Sequence, residues 1–183
     1  LAHIHRVKHS VVSFGQGCEG DPLMAARVIG PAISLIRSKT DAGTINMNTN
    51  ASLPHVLEPL LDAGMDSIRV SMNSVREACY SAYFQPKGYG FSQVMESLDL
   101  AIAKGKHVAI NYLNCPGFTD SPEETAALSE FLEEHPIHLI QWRNLNFDPQ
   151  RYLQIMDDVT PLGSPVGMDR LLQMIRKHFP ALQ

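Results

Sequence analysis

Cysteine is scarce in this chain, and its three cysteines stand far apart. Cys18, Cys79 and Cys115 are the whole set among 183 residues, and no two of them have the CxxC spacing of a metal-binding pair. An odd, sparse count argues against a disulfide framework and favours a reducing, cytoplasmic location. The sequence therefore predicts no metal site built by this chain alone.

Basic runs and long apolar runs are missing as well. The formal net charge is −4, and no run of Lys or Arg indicates a nucleic-acid surface. No apolar stretch reaches the roughly 20 residues that a membrane-spanning helix needs. We therefore expect neither a nucleic-acid nor a membrane partner, and favour a small molecule, a protein or a peptide as substrate.

Short β-rich runs alternate with helical patterns along the chain. The predicted strands are Val11–Phe14, Thr44–Thr49, Asp66–Met72, His107–Leu113 and Ile137–Trp142. The predicted helices are Leu23–Lys39 with a break at Gly30-Pro31, Pro54–Ala63, Val75–Tyr83, Phe91–Lys104, Pro122–Glu134 and a last one from Met168 to Phe179. The residues between the fifth strand and the last helix are predicted as a loop.

This alternation is typical of right-handed βαβ units, which place neighbouring strands parallel and in chain order. The predicted fold class is α/β, a partial TIM-like (β/α) barrel of parallel strands, formed by one domain over residues 1–183.

Every predicted strand ends in hydrogen-bonding side chains. They are Glu19 and Asp21, Asn48 and Asn50, Ser71, Asn73 and Ser74, Asn111, Asn114 and Asp120, and Gln141, Arg143, Asn144 and Asn146. In barrels of parallel strands the functional side chains gather at these strand ends. Asn and Ser also favour ordinary turns, but Asn48, Ser71 and Asn111 fall within strands, so a shared site is the favoured interpretation.

Five phrases in order resemble one branch of the radical S-adenosylmethionine (AdoMet) superfamily, from about Val11 to Tyr152. They are VVSFGQGCEGDPL, GTINMNTNASLP, AGMDSIRVSMNS, AINYLNCPGFTDSPEE and IQWRNLNFDP. The resemblance implies an enzyme that binds AdoMet beside a [4Fe–4S] cluster and generates a 5′-deoxyadenosyl radical. It does not fix the substrate or the reaction, and it identifies no catalytic residue.

The resemblance also implies which residues bind AdoMet. Gly17, Cys18, Glu19 and Gly20 match a GGEP-like turn that holds the AdoMet amino group, with Cys18 in place of one glycine. Ser71 and Asn73 resemble the ribose-binding positions, and Asn48, Asn50 and Asn111 are expected near the cofactor face.

The family carries CxxxCxxC after its first strand, where three thiolates hold the cluster. This sequence has no such motif, and its cysteines are interpreted as small, partly buried hydrophobic residues. We therefore interpret the chain as a radical SAM core whose first strand and cysteine segment are missing. The parent chain is expected to extend beyond Leu1, with an extension beyond Gln183 left open, and the chain alone is expected to be colourless and inactive.

Two other functions stay open. A cluster-free barrel could act as a small-molecule or protein binding module. A phosphate-binding barrel would need a Gly-rich loop before a late helix, for which Gly163 and Gly167 are the candidates.

Two further expectations concern Arg69 and the first strand of the sheet. Arg69 either pairs with a carboxylate in the barrel interior or is a satisfied buried cation, and the second is favoured. With its neighbour missing, the strand Val11–Phe14 is expected to be a sheet edge. Residues Ala2 to Val7 could fold back over that edge, but self-association through it is favoured.

Overall fold

The computed structural model describes residues 1–15 and 20–183 of the chain. Over these residues the chain forms five strands and eight α-helices. The strands are β1 (Val11–Phe14), β2 (Thr44–Thr49), β3 (Ser67–Met72), β4 (His107–Asn114) and β5 (Leu139–Asn144). The helices are α1 (Ala2–Arg6), α2 (Ala26–Arg37), α3 (Pro54–Asp62), α4 (Glu77–Phe84), α5 (Phe91–Ala103), α6 (Pro122–Glu134), α7 (Pro149–Val159) and α8 (Met168–His178).

The five strands form one sheet in the order β1-β2-β3-β4-β5. β1 pairs with β2 and β2 with β3 in parallel, and all five strands run the same way. The predicted chain-order parallel sheet and the α/β class are therefore confirmed. Within the described residues the sheet is open, as in a partial TIM-like barrel, and β1 lies at one edge.

Helix α6 begins and ends where its sequence predicts. The Ser121 side chain accepts a hydrogen bond from the Glu124 N–H at 3.3 Å, and Pro122 occupies the first helical position. Both features are typical of a helix N-terminus, because they satisfy or remove backbone donors that have no partner within the helix.

Helix α2 is continuous through Pro31, so the predicted break at Gly30-Pro31 is wrong. A proline inside a helix removes one backbone hydrogen bond and costs about 3 kcal/mol. Here Pro31 lies on the exposed side, while Ile29 and Ile33 are buried one turn apart. Burial of their side chains, about 1.5–3 kcal/mol each, offsets that cost.

Helix α7 occupies the stretch that was predicted as a loop, so that prediction is also wrong. The Asp148 side chain accepts from the Arg151 N–H at 2.8 Å, and Pro149 occupies the first helical position. Tyr152 and Met156, four residues apart, are buried on one side of the helix. The Asp-Pro start and this spacing were the overlooked signals.

Residues Ala2 to Arg6 form helix α1, where a fold-back over the β1 edge was the less favoured alternative. Ile4 is buried in this short helix, and its carbonyl oxygen accepts a hydrogen bond from the Ser10 hydroxyl at 3.4 Å. Residues 2–6 therefore add no strand to the sheet next to β1. Self-association through the β1 edge stays a prediction.

The described chain divides into two compact units. Unit 1 comprises Leu1–Val70 and Ser92–Ala109, and unit 2 comprises Ser71–Phe91 and Ile110–Gln183. Ile33, Ile45, Met47, Leu57 and Leu61 are fully buried in unit 1, and Tyr80, Tyr112, Phe118, Tyr152 and Met156 are fully buried in unit 2. That the chain is a single domain stays a prediction.

Candidate functional site

In unit 1, Gly15 holds the start of the segment that follows β1. Its φ is +84°, and a Cβ at this position would lie 2.2 Å from the Asn48 carbonyl oxygen. Only glycine allows both that backbone conformation and that close approach. The Gly15 carbonyl oxygen accepts from Asn48 Nδ2 at 2.9 Å, which ties the end of β1 to β2.

Asp21 holds the other end of the same segment. Its carboxylate accepts from the Thr49 hydroxyl at 2.9 Å, from the Asn50 N–H at 2.5 Å and from the Leu23 N–H at 3.0 Å. The last bond starts the 3₁₀ turn Pro22–Ala25 that precedes α2. Asp21 is therefore a positioning residue whose carboxylate is already fully engaged.

The predicted amino-binding turn lies between these two attachments. Gly17, Cys18 and Glu19 fall outside the described residues, so their assignment stays a prediction. Gly20 is described, with a φ of +80° and no atom of the described residues within 4 Å of where its Cβ would stand. The segment is thus attached to the carboxyl end of β2 on both sides, where the sequence predicts cofactor contacts.

Asn48 and Asn50 make local hydrogen bonds in unit 1. Asn48 Oδ1 accepts from Asn46 Nδ2 at 3.1 Å, and Asn50 Oδ1 accepts from the Ser52 N–H at 3.0 Å. Asn50 therefore turns the chain after β2, as the alternative interpretation of these residues expects. Asn48 is half-buried and keeps one amide hydrogen beyond the one given to Gly15.

Arg69 differs from its favoured interpretation as a satisfied cation. It is half-buried in β3, and its Nε is buried without a hydrogen-bond partner among the described residues. A buried donor in that state costs about 1–3 kcal/mol. The guanidinium is therefore a charged group for which the described residues supply no acceptor at Nε.

In unit 2, the two predicted ribose-binding positions differ in accessibility. Ser71 is half-buried in β3, between two positions whose side chains are buried. Asn73 is fully buried, and its Nδ2 donates to the Cys79 carbonyl oxygen at 3.1 Å and to the Tyr152 hydroxyl at 3.2 Å. Asn73 thus supports the start of α4 and α7, while its Oδ1 is buried without a donor.

Asn111 and Asn114 leave further acceptors unpaired near the carboxyl end of β4. The Oδ1 atoms of both side chains are buried without a donor among the described residues. Successive strand residues face opposite sides of a sheet, and Tyr112 faces α6, where it donates to Glu124. Asn111 therefore faces the side of the sheet away from α6.

A buried charge network in unit 2 was not predicted from the sequence. Glu124 of α6 is fully buried and accepts from the Ser74 hydroxyl at 2.9 Å, from Arg76 Nε at 2.8 Å and from the Tyr112 hydroxyl. Burial and the adjacent Glu124 charge raise the pKa of Tyr112 well above its usual value. Burial lowers the pKa of Arg76, but the hydrogen bond and charge of Glu124 outweigh burial, and the net shift is upward.

Cys79 and Cys115 are free thiols in unit 2 and are buried more completely than the partial burial predicted from the sequence. They pack in one apolar cluster with Phe118, Tyr152 and Met156. Burial raises the pKa of both thiols. Cys18 lies outside the described residues, and the described part of the chain has no group of three or more His, Cys, Asp or Glu side chains able to hold a metal ion.

The glycines proposed for phosphate binding already have carboxylate partners. The Gly163 N–H donates to Glu123 at 3.1 Å, and the Gly167 N–H, at the start of α8, donates to Asp120 at 3.0 Å. An anion binding there would have to displace these side chains. An open groove of about 530 Å³ near Gly163 contains none of the predicted AdoMet-binding residues.

Comparison with known families decides the classification. The model of the radical SAM superfamily matches residues 2–129. The chain belongs to the radical SAM superfamily. The match runs from α1 into α6 and so covers β1 to β4, whose carboxyl ends carry the predicted AdoMet-binding residues.

Solved structures of radical SAM enzymes share the fold. Methylornithine synthase (PylB) gives a TM-score of 0.64 at 12% identity, covering 95% of this chain and 49% of that one. A domain of pyruvate-formate lyase-activating enzyme from Bacteroides vulgatus ATCC 8482 gives a TM-score of 0.62 at 11% identity, covering 92% of this chain and 91% of that one. Coproporphyrinogen III oxidase (HemN) from Escherichia coli gives a TM-score of 0.60 at 15% identity, covering 93% of this chain and 40% of that one.

The chain spans less than half the length of methylornithine synthase and of coproporphyrinogen III oxidase. No curated protein matched the sequence. Among the described helices, none combines the length and apolar character needed to cross a bilayer.

Proposed function

We propose that this radical SAM chain binds AdoMet through side chains at the carboxyl ends of its strands. The observation that carries the proposal is the buried, unpaired carboxamide oxygen of Asn111 in unit 2, on the side of the sheet away from α6. AdoMet offers hydrogen-bond donors in its ammonium group, its two ribose hydroxyls and its adenine amino group. Because each unpaired buried acceptor costs about 1–3 kcal/mol, a ligand that supplies donors recovers that energy.

The two ends of the segment that contains the amino-binding turn support the same proposal. Gly15 and Asp21 attach that segment to β2 from both sides. We propose that Gly17, Cys18, Glu19 and Gly20 hold the AdoMet ammonium, which pairs with backbone oxygens and a carboxylate. In the proposal Ser71 is the accessible ribose contact, and Asn73 acts by supporting its neighbours.

The described residues do not fit a [4Fe–4S] cluster, because Cys79 and Cys115 are buried in an apolar cluster and no other thiol is described. We propose that residues of the parent protein outside those described hold the cluster. Held by those residues beside AdoMet, such a cluster would supply an electron for radical formation. The contribution of this chain is to bind and orient AdoMet.

Calorimetric titration of AdoMet into the chain tests the proposal, with adenosine as a control ligand that lacks both the ammonium and any phosphate. AdoMet is expected to bind and adenosine to bind much more weakly. Glu19→Gln is expected to cost about 1.5–3 kcal/mol of AdoMet affinity, the range for a hydrogen bond to a charged group. Gln173→Ala, which removes an exposed carboxamide from α8, is the control and should bind as the unchanged chain does. No binding of AdoMet at millimolar concentration would contradict the proposal.

A cluster-free binding module is the second candidate, and the burial of both described thiols favours it. Reading the gene upstream of the Leu1 codon separates the two functions. A CxxxCxxC motif in that stretch supports the enzyme, and an in-frame start without one supports the binding module. Anaerobic incubation of the chain with iron and sulfide is expected to leave it colourless, and stable, stoichiometric iron would contradict the assignment of the cluster to other residues.

A further inference from the structure

One face of the sheet in unit 1 is polar. In the parallel register Ser13 lies beside Asn46, Asn46 beside Ser67, and Asn48 beside Arg69. Side chains at paired and alternate positions share a face. The face therefore carries two serines, two asparagines and one arginine, together with Val11 and Thr44 at its beginning.

The uncharged side chains of this face satisfy one another. Asn46 Nδ2 donates to the Ser13 hydroxyl and to Asn48 Oδ1, both at 3.1 Å, and Asn46 Oδ1 accepts from the Ser67 hydroxyl at 2.8 Å. Asn48 in turn donates to the Gly15 carbonyl oxygen. This network includes no bond to Arg69.

Among the described residues, Arg69 is the only charged one on this face, and no carboxylate pairs with it. The two carboxylates attached to β2 are engaged elsewhere: Asp21 with the start of the 3₁₀ turn, and Asp66 with Arg37 and the Ile45 N–H at 2.6 Å. Arg37 is a useful contrast, because its Nε donates to the Gly64 carbonyl oxygen at 3.0 Å while it pairs with Asp66. Arg69 Nε has no such partner.

We propose that Arg69 binds an oxyanion of the substrate, a carboxylate or a phosphate. A guanidinium presents planar, paired donors that match both groups, and its charge strengthens the hydrogen bonds. The hydrogen bonds of Asn46 with its neighbours do not involve Arg69, so an anion that binds Arg69 would not have to break them. That the anion belongs to a substrate rests on the proposed function, whereas anion binding by Arg69 does not.

Nuclear magnetic resonance of the chain labelled with ¹⁵N-arginine tests anion binding directly. Inorganic phosphate and acetate are titrated at constant ionic strength, and the Nε–H signals of Arg69 and Arg37 are followed. The Arg69 signal is expected to shift and saturate, while the Arg37 signal, whose partners are in place, stays fixed. An Arg69 signal that ignores both anions, as one already paired within the chain would, overturns the proposal.

Calorimetry on variants supplies the second arm. Arg69→Gln is expected to weaken phosphate binding at least about tenfold, the loss of a charge-assisted hydrogen bond. Arg151→Gln removes one exposed positive charge and should leave phosphate binding unchanged. Equal losses in the two variants would mean a general charge effect and would overturn the proposal.

AdoMet has its own carboxylate, and the third arm separates it from a substrate. Arg69→Gln is expected to keep AdoMet affinity within about twofold, since a lost charge-assisted bond would exceed that. A loss of AdoMet affinity as large as the loss for phosphate would assign the anion to AdoMet and overturn the substrate assignment. If phosphate binds at Arg69 but AdoMet fails to bind the unchanged chain, the proposed function fails and the anion site stands.

Discussion

The two units of the chain have opposite hydrogen-bonding shortages. Unit 1 pairs uncharged polar side chains with one another and leaves a charged donor, Arg69 Nε, without an acceptor among the described residues. Unit 2 pairs Arg76 with Glu124, and no described residue donates to the carboxamide oxygens of Asn111 and Asn114.

Each shortage indicates a different ligand chemistry. The donor in unit 1 suits an anion, whereas the acceptors in unit 2 suit hydroxyl, amino or ammonium groups such as those of AdoMet. The Nη2 of Arg76 and the Oγ1 of Thr125 are also buried without partners in unit 2, but the Arg76 side chain already has a carboxylate. The contrast therefore depends on Arg69 in one unit and on the asparagines in the other.

The largest expected effect comes from Glu124→Ala, which would give unit 2 the kind of unpaired cation that unit 1 has. Removing one partner of a buried ion pair costs about 3–5 kcal/mol, and Arg76, Tyr112 and Ser74 would all lose their acceptor. Chemical denaturation measures the loss of unfolding free energy.

The adjacent Glu123→Ala is the control for this variant, because the Glu123 side chain is exposed and accepts a hydrogen bond from the Gly163 N–H instead of joining the buried network. The loss of unfolding free energy in Glu123→Ala should be clearly smaller than in Glu124→Ala. Equal losses for Glu123→Ala and Glu124→Ala would show that the network does not stabilise unit 2.

A smaller difference in unfolding free energy is expected between alanine variants of Asn46 in unit 1 and Asn111 in unit 2. Asn46→Ala removes bonds to Ser13, Asn48 and Ser67 and should cost about 1–3 kcal/mol, because the buried Ser67 hydroxyl loses its acceptor. Asn111→Ala removes an acceptor that has no donor, so its cost should stay below about 1 kcal/mol. Urea denaturation of both variants measures the difference, and a larger loss for Asn111→Ala would break the comparison.

Local sequence signals predicted much of the fold. The bounds of β1, β2 and α6 follow from β-rich runs between turn residues and from the Ser121-Pro122 start, which are properties of neighbouring residues. Helix α7 was missed because its Asp-Pro start was interpreted as part of a loop. The continuity of α2 depends on what Ile29 and Ile33 contact, which no local pattern specifies.

The site was less predictable, because its properties depend on residues far apart in the chain. A glutamate in the first turn of a helix is ordinarily exposed, and the burial of Glu124 requires Ser74 and Tyr112. The isolation of Arg69 follows from the register of β2 against β3, which places Asn48 beside it instead of a carboxylate. Asn48 and Asn111 were identified because polar residues inside strands are conspicuous.

A smaller effect concerns the thiols of unit 2, which should react slowly. Burial raises the pKa of Cys79 and Cys115, so less thiolate exists at pH 8 than for an ordinary cysteine, and the thiolate is the reactive form. Iodoacetamide labelling followed by peptide mass spectrometry should show both residues protected in the folded chain and labelled in guanidinium. Fast labelling of either one in the folded chain would contradict its place in the apolar cluster.

The central claim is that the unpaired oxygens of unit 2 serve AdoMet, and one titration tests it most directly. AdoMet is titrated into the unchanged chain and into Asn111→Ala by calorimetry, after denaturation has shown that both are folded. The account predicts binding to the unchanged chain and about tenfold weaker binding to Asn111→Ala, equivalent to about 1.4 kcal/mol and one lost hydrogen bond. Equal affinities in the two proteins, or no binding to either, would contradict it.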